Sequence, residues 1–246
     1  KKLEGSLGVR ILTGKAMDKI KADSKKVSSM VGTVEVQADM MLVSIGRRPY
    51  TAGLCLENAG LKANEKGYIT VDGSGRTKVA SIFAIGDVTG GPQLAHAATS
   101  QGITAAENAV LGRRNKVEEL VPACIFTSPE IGCVGMTEQT AKEKGRSVHT
   151  GKFLFAALGK AMAAGETEGF VKWVADAQTG QLLGAQAIGL HATELISEAS
   201  VAIRSELTVE EIGKTVHCHP TLSEAWMEAA HAVHGECIHA PPRKRK

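Results

Sequence analysis

No run of about 18 consecutive apolar residues occurs anywhere in the 246-residue chain, so the sequence offers no candidate membrane-spanning helix. It also lacks a C-x-x-C pair. Its five cysteines, Cys55, Cys124, Cys133, Cys218 and Cys237, are scattered with no repeated metal-ligand spacing, a pattern that reads as reduced and intracellular. A complete G-x-G-x-x-G is missing too. The stretch Gly73-Ser74-Gly75-Arg76-Thr77-Lys78 begins like one, but Lys78 stands where the third glycine belongs and the segment leads towards a strand rather than a helix, so it reads as a turn. The chain opens on Lys1 rather than Met, and its first dozen residues resemble neither a signal region nor a transit peptide, which leads us to expect a start inside a longer protein. Net charge is small: of the formal +3, Arg243, Lys244, Arg245 and Lys246 supply +4, leaving about −1 on the rest and excluding a polyanion-binding body. That basic terminus reads as solvated, and no function is assigned to it.

What is present is an ordinary packing composition, 43% hydrophobic and 22% charged, long enough for one or two domains with real cores. Strand-like segments come first: Val9–Leu12, Thr33–Ala38, and the unbroken apolar run Met40–Ile45 that a strand buried on both faces would need. Gly67–Asp72 and Ile82–Gly86 follow as strands, and then a helix from Leu94 to Leu111, closed by Gly112 in the position that wants positive φ. After Pro122 strands alternate with helices. The strand candidates are Cys124–Phe126, Val148–Leu154, Gly169–Ala175 and Leu182–Ile188, the last two joined through Thr179-Gly180. Helices are expected at Glu138–Lys144, Glu194–Arg204, Val209–Lys214 and Leu222–His234. The pattern implies an α/β portion followed by an α+β domain beginning near Val121.

Two constellations carry chemistry. In Ile82-Phe83-Ala84-Ile85-Gly86-Asp87 the glycine would let a backbone approach a ligand closely, and Asp87 could accept from sugar-like hydroxyls or simply open a turn. The sequel Gly90-Gly91-Pro92-Gln93-Leu94-Ala95-His96 runs a glycine-rich turn into a helix N-terminus, whose free N–H groups suit an anionic ligand or cofactor. The second is His217-Cys218-His219-Pro220-Thr221-Leu222-Ser223-Glu224. His219 suits a general base and Glu224 the carboxylate that fixes its tautomer, although Thr221-x-x-Glu224 is equally a helix capping box. His217-x-His219 could suggest a metal, yet no Cys or acidic cluster at familiar spacing supports one.

Together with Ile45-Gly46-Arg47-Arg48-Pro49 and Ser128-Pro129-Glu130-Ile131-Gly132, and in this order, these motifs resemble the dihydrolipoamide dehydrogenases, a branch of the pyridine nucleotide-disulfide oxidoreductases. Glutathione and mercuric reductases share a His-Pro base region, but Leu94-Ala95-His96 and the Thr-Leu-Ser-Glu sequel favour the lipoamide branch. The resemblance implies an α/β and α+β protein with residues 1–48 as the end of an NAD-binding domain, 49–120 as an FAD-binding segment and 121–246 as an interface domain. It implies cofactors FAD and NAD, with Gly86, Asp87, Gln93, Leu94, Ala95 and His96 at the flavin site and Gly46 and Ala16 near the NAD site. It further implies His219 as acid/base residue oriented by Glu224, a cis bond at His219-Pro220, and a homodimer in which this pair serves the opposite subunit. The implied partners are dihydrolipoamide and the lipoyl-bearing acyltransferase of a 2-oxo acid dehydrogenase complex, in the cytoplasm, or in the mitochondrial matrix of a eukaryote. The family's FAD fingerprint, C-x-x-x-x-C redox disulfide and NAD glycine loop are absent from this chain.

Overall fold

The computed structural model describes residues 2–240; the basic terminus at Arg243–Lys246 lies outside them. The chain forms two compact units, one before Pro49 and one from Pro49 onward. The first opens with a single helical turn, α1 (Lys2–Gly5), and contains an antiparallel meander of β1 (Met17–Ala22), β2 (Val27–Val31) and β3 (Val34–Ala38). Gly32, at φ 64°, begins the two-residue loop between β2 and β3. Val27 and Ser29 are buried on β2, and the Ser29 hydroxyl donates to the Asp18 carbonyl at 2.7 Å across an irregularity in β1.

Two expectations fail in this unit. Val9–Leu12 is coil, and so is Met40–Ile45, whose Met40, Leu42 and Ile45 are 86%, 91% and 94% exposed. A strand buried on both faces needs hydrogen-bonded neighbours on both edges, and the three-stranded sheet of this unit ends at Ala38 without recruiting the run.

The second unit begins loop-rich. The expected strand at Gly67–Asp72 is coil, and that at Ile82–Gly86 reduces to one isolated bridge, Arg76 to Phe83. The Gly73–Lys78 segment is indeed a turn: Asp72 accepts from the Ser74 and Arg76 N–H groups, and Gly75 sits at φ 78°. A 3-10 turn at Gly86–Thr89 leads to α2 (Ala95–Leu111), ended by Gly112 at φ 63°.

Beyond this lies a five-stranded antiparallel sheet in the order β4-β5-β8-β7-β6: β4 (Ala123–Ile125), β5 (Glu130–Gly135), β6 (Val148–Leu154), β7 (Gly169–Asp176) and β8 (Leu182–Gly189). Short helices α3 (Glu138–Glu143) and α4 (Gly159–Ala164) flank β6, and α5 (Ala192–Arg204), α6 (Val209–Lys214) and α7 (Glu224–His234) complete the domain. The register puts Gly132, Val134, Ala185, Ala187, Val171, Trp173, Gly151 and Phe153 on one face, all buried. This face takes α5 over β5 and β8, and α7 over β6 and β7. Glycine is required where the helices come closest: a Cβ on Gly132 would lie 2.6 Å from the Ala192 carbonyl, and one on Gly151 would collide with the Ala229 carbonyl. On the opposite face Val174 and Gly184 are buried, whereas Ile131, Cys133, Phe170, Gln186 and Ile188 are only half-buried.

Two buried tryptophans fix α7. Trp173 Nε1 donates to the Trp226 carbonyl at 3.0 Å, Trp226 Nε1 donates to the Leu195 carbonyl at 3.1 Å, and the rings lie 4.5 Å apart between centroids. Strand β7, helix α5 and the first turn of α7 are thereby tied at one point, two residues beyond Glu224. Among the described residues no helix is long and apolar enough to cross a membrane.

Candidate functional site

His219 and Glu224 meet. The imidazole Nδ1 lies 2.8 Å from Glu224 Oε1, while Glu224 Oε2 accepts the Thr221 N–H at 2.7 Å. The two oxygens of Glu224 thus have separate partners, the His219 ring on one and the Thr221 N–H, as in half of a capping box, on the other. The Thr221 hydroxyl does not complete the capping box; it donates to the Cys218 carbonyl at 2.7 Å and tightens the loop instead. The peptide bond His219-Pro220 is cis, as is Ser128-Pro129.

The pair is polarised by exposure: the His219 side chain is 71% exposed, that of Glu224 10%. Burial pushes the Glu224 carboxyl up, but the Thr221 N–H, the His219 hydrogen bond and the nearby positive potential of His219 and His239 together outweigh it and hold the group below the usual carboxylate range. An ionised carboxylate only accepts, so Nδ1 must carry the hydrogen of their bond. In the neutral ring that leaves the lone pair on Nε2, on the solvent side, where it can take a proton.

At the other constellation Gly86 is buried at φ 71°, with its N–H donating to Gln101 Oε1 of α2 at 2.7 Å. The Thr89 hydroxyl closes the turn on the Gly86 carbonyl at 2.9 Å. Asp87 is exposed beside it, Gln93 and Leu94 are half-buried, and Ala95 and His96 begin α2 exposed. No side chain caps that helix, so its first N–H groups are open to an acceptor. The His96 ring is engaged elsewhere, with Nε2 2.8 Å from the Pro122 carbonyl. In the first unit Ala16 lies exposed just before β1, and Gly46 lies exposed at φ 126° in the coil after β3.

Besides an exposed His234–Glu210 contact at 3.2 Å, two further histidine–carboxylate pairs among the described residues escaped the sequence reading. His217 Nε2 lies 2.8 Å from Glu198 Oε1 on α5. Glu228, one turn beyond Glu224 on α7 and fully buried, faces His239 Nδ1 at 2.7 Å and accepts the Ile238 and His239 N–H groups on its other oxygen. Only the i, i+4 spacing of Glu224 and Glu228 hinted at the second pair, and nothing local hinted at the first. Among the described residues no group of three His, Cys, Asp or Glu could hold a metal ion.

Residues 1–102 match the pyridine nucleotide-disulphide oxidoreductase family, and residues 121–230 match the dimerisation domain of the same family. The chain belongs to the pyridine nucleotide-disulphide oxidoreductases. Among its relatives in that family is a dihydrolipoyl dehydrogenase of Bacillus subtilis, 46% identical over an alignment of 242 positions that covers 94% of this chain and 50% of that protein. Another is a dihydrolipoyl dehydrogenase of Thermus scotoductus, 46% identical over 205 residues, 83% of this chain and 44% of the relative. Among solved structures, LpdA from Mycobacterium tuberculosis superposes with a TM-score of 0.85 at 30% identity, covering 94% of this chain and 50% of that one. The HOCl-induced flavoprotein disulfide reductase RclA from Escherichia coli gives a TM-score of 0.83 at 28% identity, covering 92% and 52%. The chain thus spans about half the length of the pyridine nucleotide-disulphide oxidoreductases it matches.

Proposed function

We propose that this chain is the acid/base half of a dihydrolipoamide dehydrogenase, an enzyme that oxidises dihydrolipoamide and reduces NAD. The observation that carries the reading is the His219–Glu224 contact, 2.8 Å at Nδ1, with the second carboxylate oxygen held by the Thr221 N–H. A thiol is a poor nucleophile until it loses its proton. In the proposed reaction His219 Nε2 takes that proton from dihydrolipoamide, leaving a thiolate able to attack a disulfide, and Glu224 stabilises the imidazolium until the proton is released. Nucleophilic attack on sulfur then requires a disulfide from a portion of the protein outside this chain.

The residues present fit FAD as the electron carrier. A Cβ at Gly86 would come within 3.1 Å of the Ala98 methyl and φ is 71°, so glycine is what lets this turn pack against the first turn of α2. Gly86, Asp87, Gln93, Leu94, Ala95 and His96 would hold the cofactor, and the free N–H groups at the uncapped start of α2 would suit negative charge on it. Bound there, a flavin supplies two-electron transfer between the dithiol and NAD. Gly46 and Ala16 would belong to the nicotinamide nucleotide site. On this reading residues 1–48 end an NAD domain, 49–120 belong to the FAD domain and 121–246 form the interface domain. The protein would work as a homodimer in which His219 serves the partner subunit, would meet the lipoyl-bearing acyltransferase of a 2-oxo acid dehydrogenase complex, and would reside in the cytoplasm or, in a eukaryote, the mitochondrial matrix.

A second reading, in which the chain alone is a non-catalytic dimerisation module, draws support from the contrast between the filled core under α5 and α7 and the exposed Met40, Leu42 and Ile45. One experiment addresses both. Joining the chain to the N-terminal half of the Bacillus subtilis relative should give a yellow dimer that reduces NAD with dihydrolipoamide, and His219→Gln should slow it by about 10²-fold or more with flavin retained. Turnover indifferent to His219→Gln would refute the assignment.

A further inference from the structure

The loop from Thr215 to Pro220 presents His219, and five of its six residues are exposed. His217 is the exception. Its side chain is 5% exposed and points back into the domain, where Nε2 meets Glu198 Oε1 at 2.8 Å and Nδ1 meets the Thr215 carbonyl at 2.9 Å. Both partners accept hydrogen bonds. A carboxylate has no proton to give and a carbonyl never does, so a neutral imidazole, with one N–H, would leave a lone pair facing an oxygen on the other side. Only the doubly protonated ring satisfies both contacts. The groups that face it agree: Glu198 from α5 and Glu224 from α7 both favour the cation, and burial, which opposes it, is outweighed.

We propose that His217 is a positioning residue, a buried imidazolium strung between Glu198 and the Thr215 carbonyl, which holds the loop so that His219 reaches Glu224. The loop then has two carboxylate anchors. Upstream, His217 ties it to the middle of α5; downstream, Glu224 takes the Thr221 N–H and His219 Nδ1 at the start of α7. The Thr215 hydroxyl fastens the near end to α6 through the Glu211 carbonyl at 2.8 Å. His219 lies two residues from the first anchor and two from Thr221, so little freedom remains for its backbone. The inference rests on the reading of His219 as the base, since it is that residue the tether serves.

The test is a pH series of long-range proton–nitrogen correlation spectra of the ¹⁵N-labelled 246-residue chain. At pH 7 His217 should show two protonated ring nitrogens. Glu198→Gln should lower the His217 titration midpoint by about one pH unit or more, and it should weaken the Nδ1-protonated signature of His219 while the near-ultraviolet dichroism of Trp173 and Trp226 stays native. A His217 bearing one ring proton at pH 7 would overturn the proposal, and so would a Glu198→Gln chain whose His219 signals are unmoved, because a merely structural tether predicts that result. Should Glu198→Gln fail to fold, Glu198→Asp, which keeps the charge and shortens the reach, should shift both signals in the same direction by less; no shift in either overturns the proposal. A wild-type His219 lacking the Nδ1 proton would sink the base reading while leaving the His217 cation standing, so the two failures are distinguishable.

Discussion

Replacing Glu224 by Gln keeps the shape of the side chain, removes its charge and replaces one acceptor with a donor. The Thr221 N–H, 2.7 Å from Oε2, can be satisfied only by the single oxygen of the amide. The amide NH₂ is then left beside His219 Nδ1, where the carboxylate oxygen stood at 2.8 Å. Because NH₂ donates, Nδ1 must accept, and the hydrogen of the neutral ring moves to Nε2, the atom that has to be free to take a proton. Exchanging a charge-assisted hydrogen bond, worth about 1.5–3 kcal/mol, for a neutral one worth about 0.5–1.5 kcal/mol removes roughly 1–2 kcal/mol of imidazolium stabilisation, a factor of about 5–30. Inverting the tautomer adds to that, and carboxylate-to-amide changes behind a catalytic histidine reach about 10⁴-fold in rate. The expected loss in dihydrolipoamide oxidation therefore lies between about 10 and about 10⁴. The direct assay is the ring-nitrogen spectrum of the chain at a pH where His219 is neutral: Nδ1 protonated in the natural sequence, Nε2 protonated in Glu224→Gln. Retention of the Nδ1 proton in the variant would refute the reasoning.

Other consequences can be measured on the chain itself. Gly151→Ala drives a methyl into the Ala229 carbonyl and to 2.7 Å from Val233 Cγ2, where β6 meets α7; overpacking of this kind costs about 1–3 kcal/mol, a fall of roughly 2–12 °C in the thermal midpoint, and an unchanged midpoint would contradict the close approach. Trp226→Phe removes the indole N–H that bonds the Leu195 carbonyl and leaves space beside the buried Trp173, and should lower stability by about 1–3 kcal/mol in urea titrations. Glu224 has a folded pKa below its unfolded one, so its contribution is complete above an unfolded value of about 4.3 and fades as pH falls through the lowered folded value. Plots of denaturation midpoint against pH should therefore lose part of their acid limb in Glu224→Gln. His217 has the opposite sign: its contribution is complete below about 6.5 and fades as pH rises through the raised folded value, so Glu198→Gln should flatten the alkaline limb.

Local signals were readable in the sequence and long-range ones were not. Strand β6 at Val148–Leu154 and helix α6 at Val209–Lys214, the latter opened by the Thr208–Glu211 capping box, fall where alternation and capping residues put them. Gly112 ends α2 because positive φ is a property of that residue and position alone. By contrast β1 and β2 are rich in Lys, Asp and Ser and are held by pairing with each other and with β3, which no periodicity records. Strand β5 hides behind Gly132 and Gly135, residues that weaken a strand in isolation and that packing demands here. Met40–Ile45 failed for the complementary reason, since its apolar run encodes burial between neighbours that the first unit does not provide.

The candidate site divides in the same way. His219 and Glu224 are five residues apart within one turn entering α7, so their spacing already allowed contact. His217 and Glu198 are 19 residues apart on separate elements and meet only because α5 and α7 share one sheet face. That shared face, set by Gly132, Gly151 and the two tryptophans, is what brings the loop and its anchors together.

The most direct test of the account is rapid-mixing reduction of the flavin by dihydrolipoamide in the full-length hybrid, comparing the natural residue at position 219 with His219→Gln. The variant should bind flavin and form dimers as before, yet its reductive half-reaction should slow by about 10²-fold or more near neutral pH. A variant that reduces its flavin at the parent's rate would show that the thiol proton goes elsewhere, and would contradict the role given to His219.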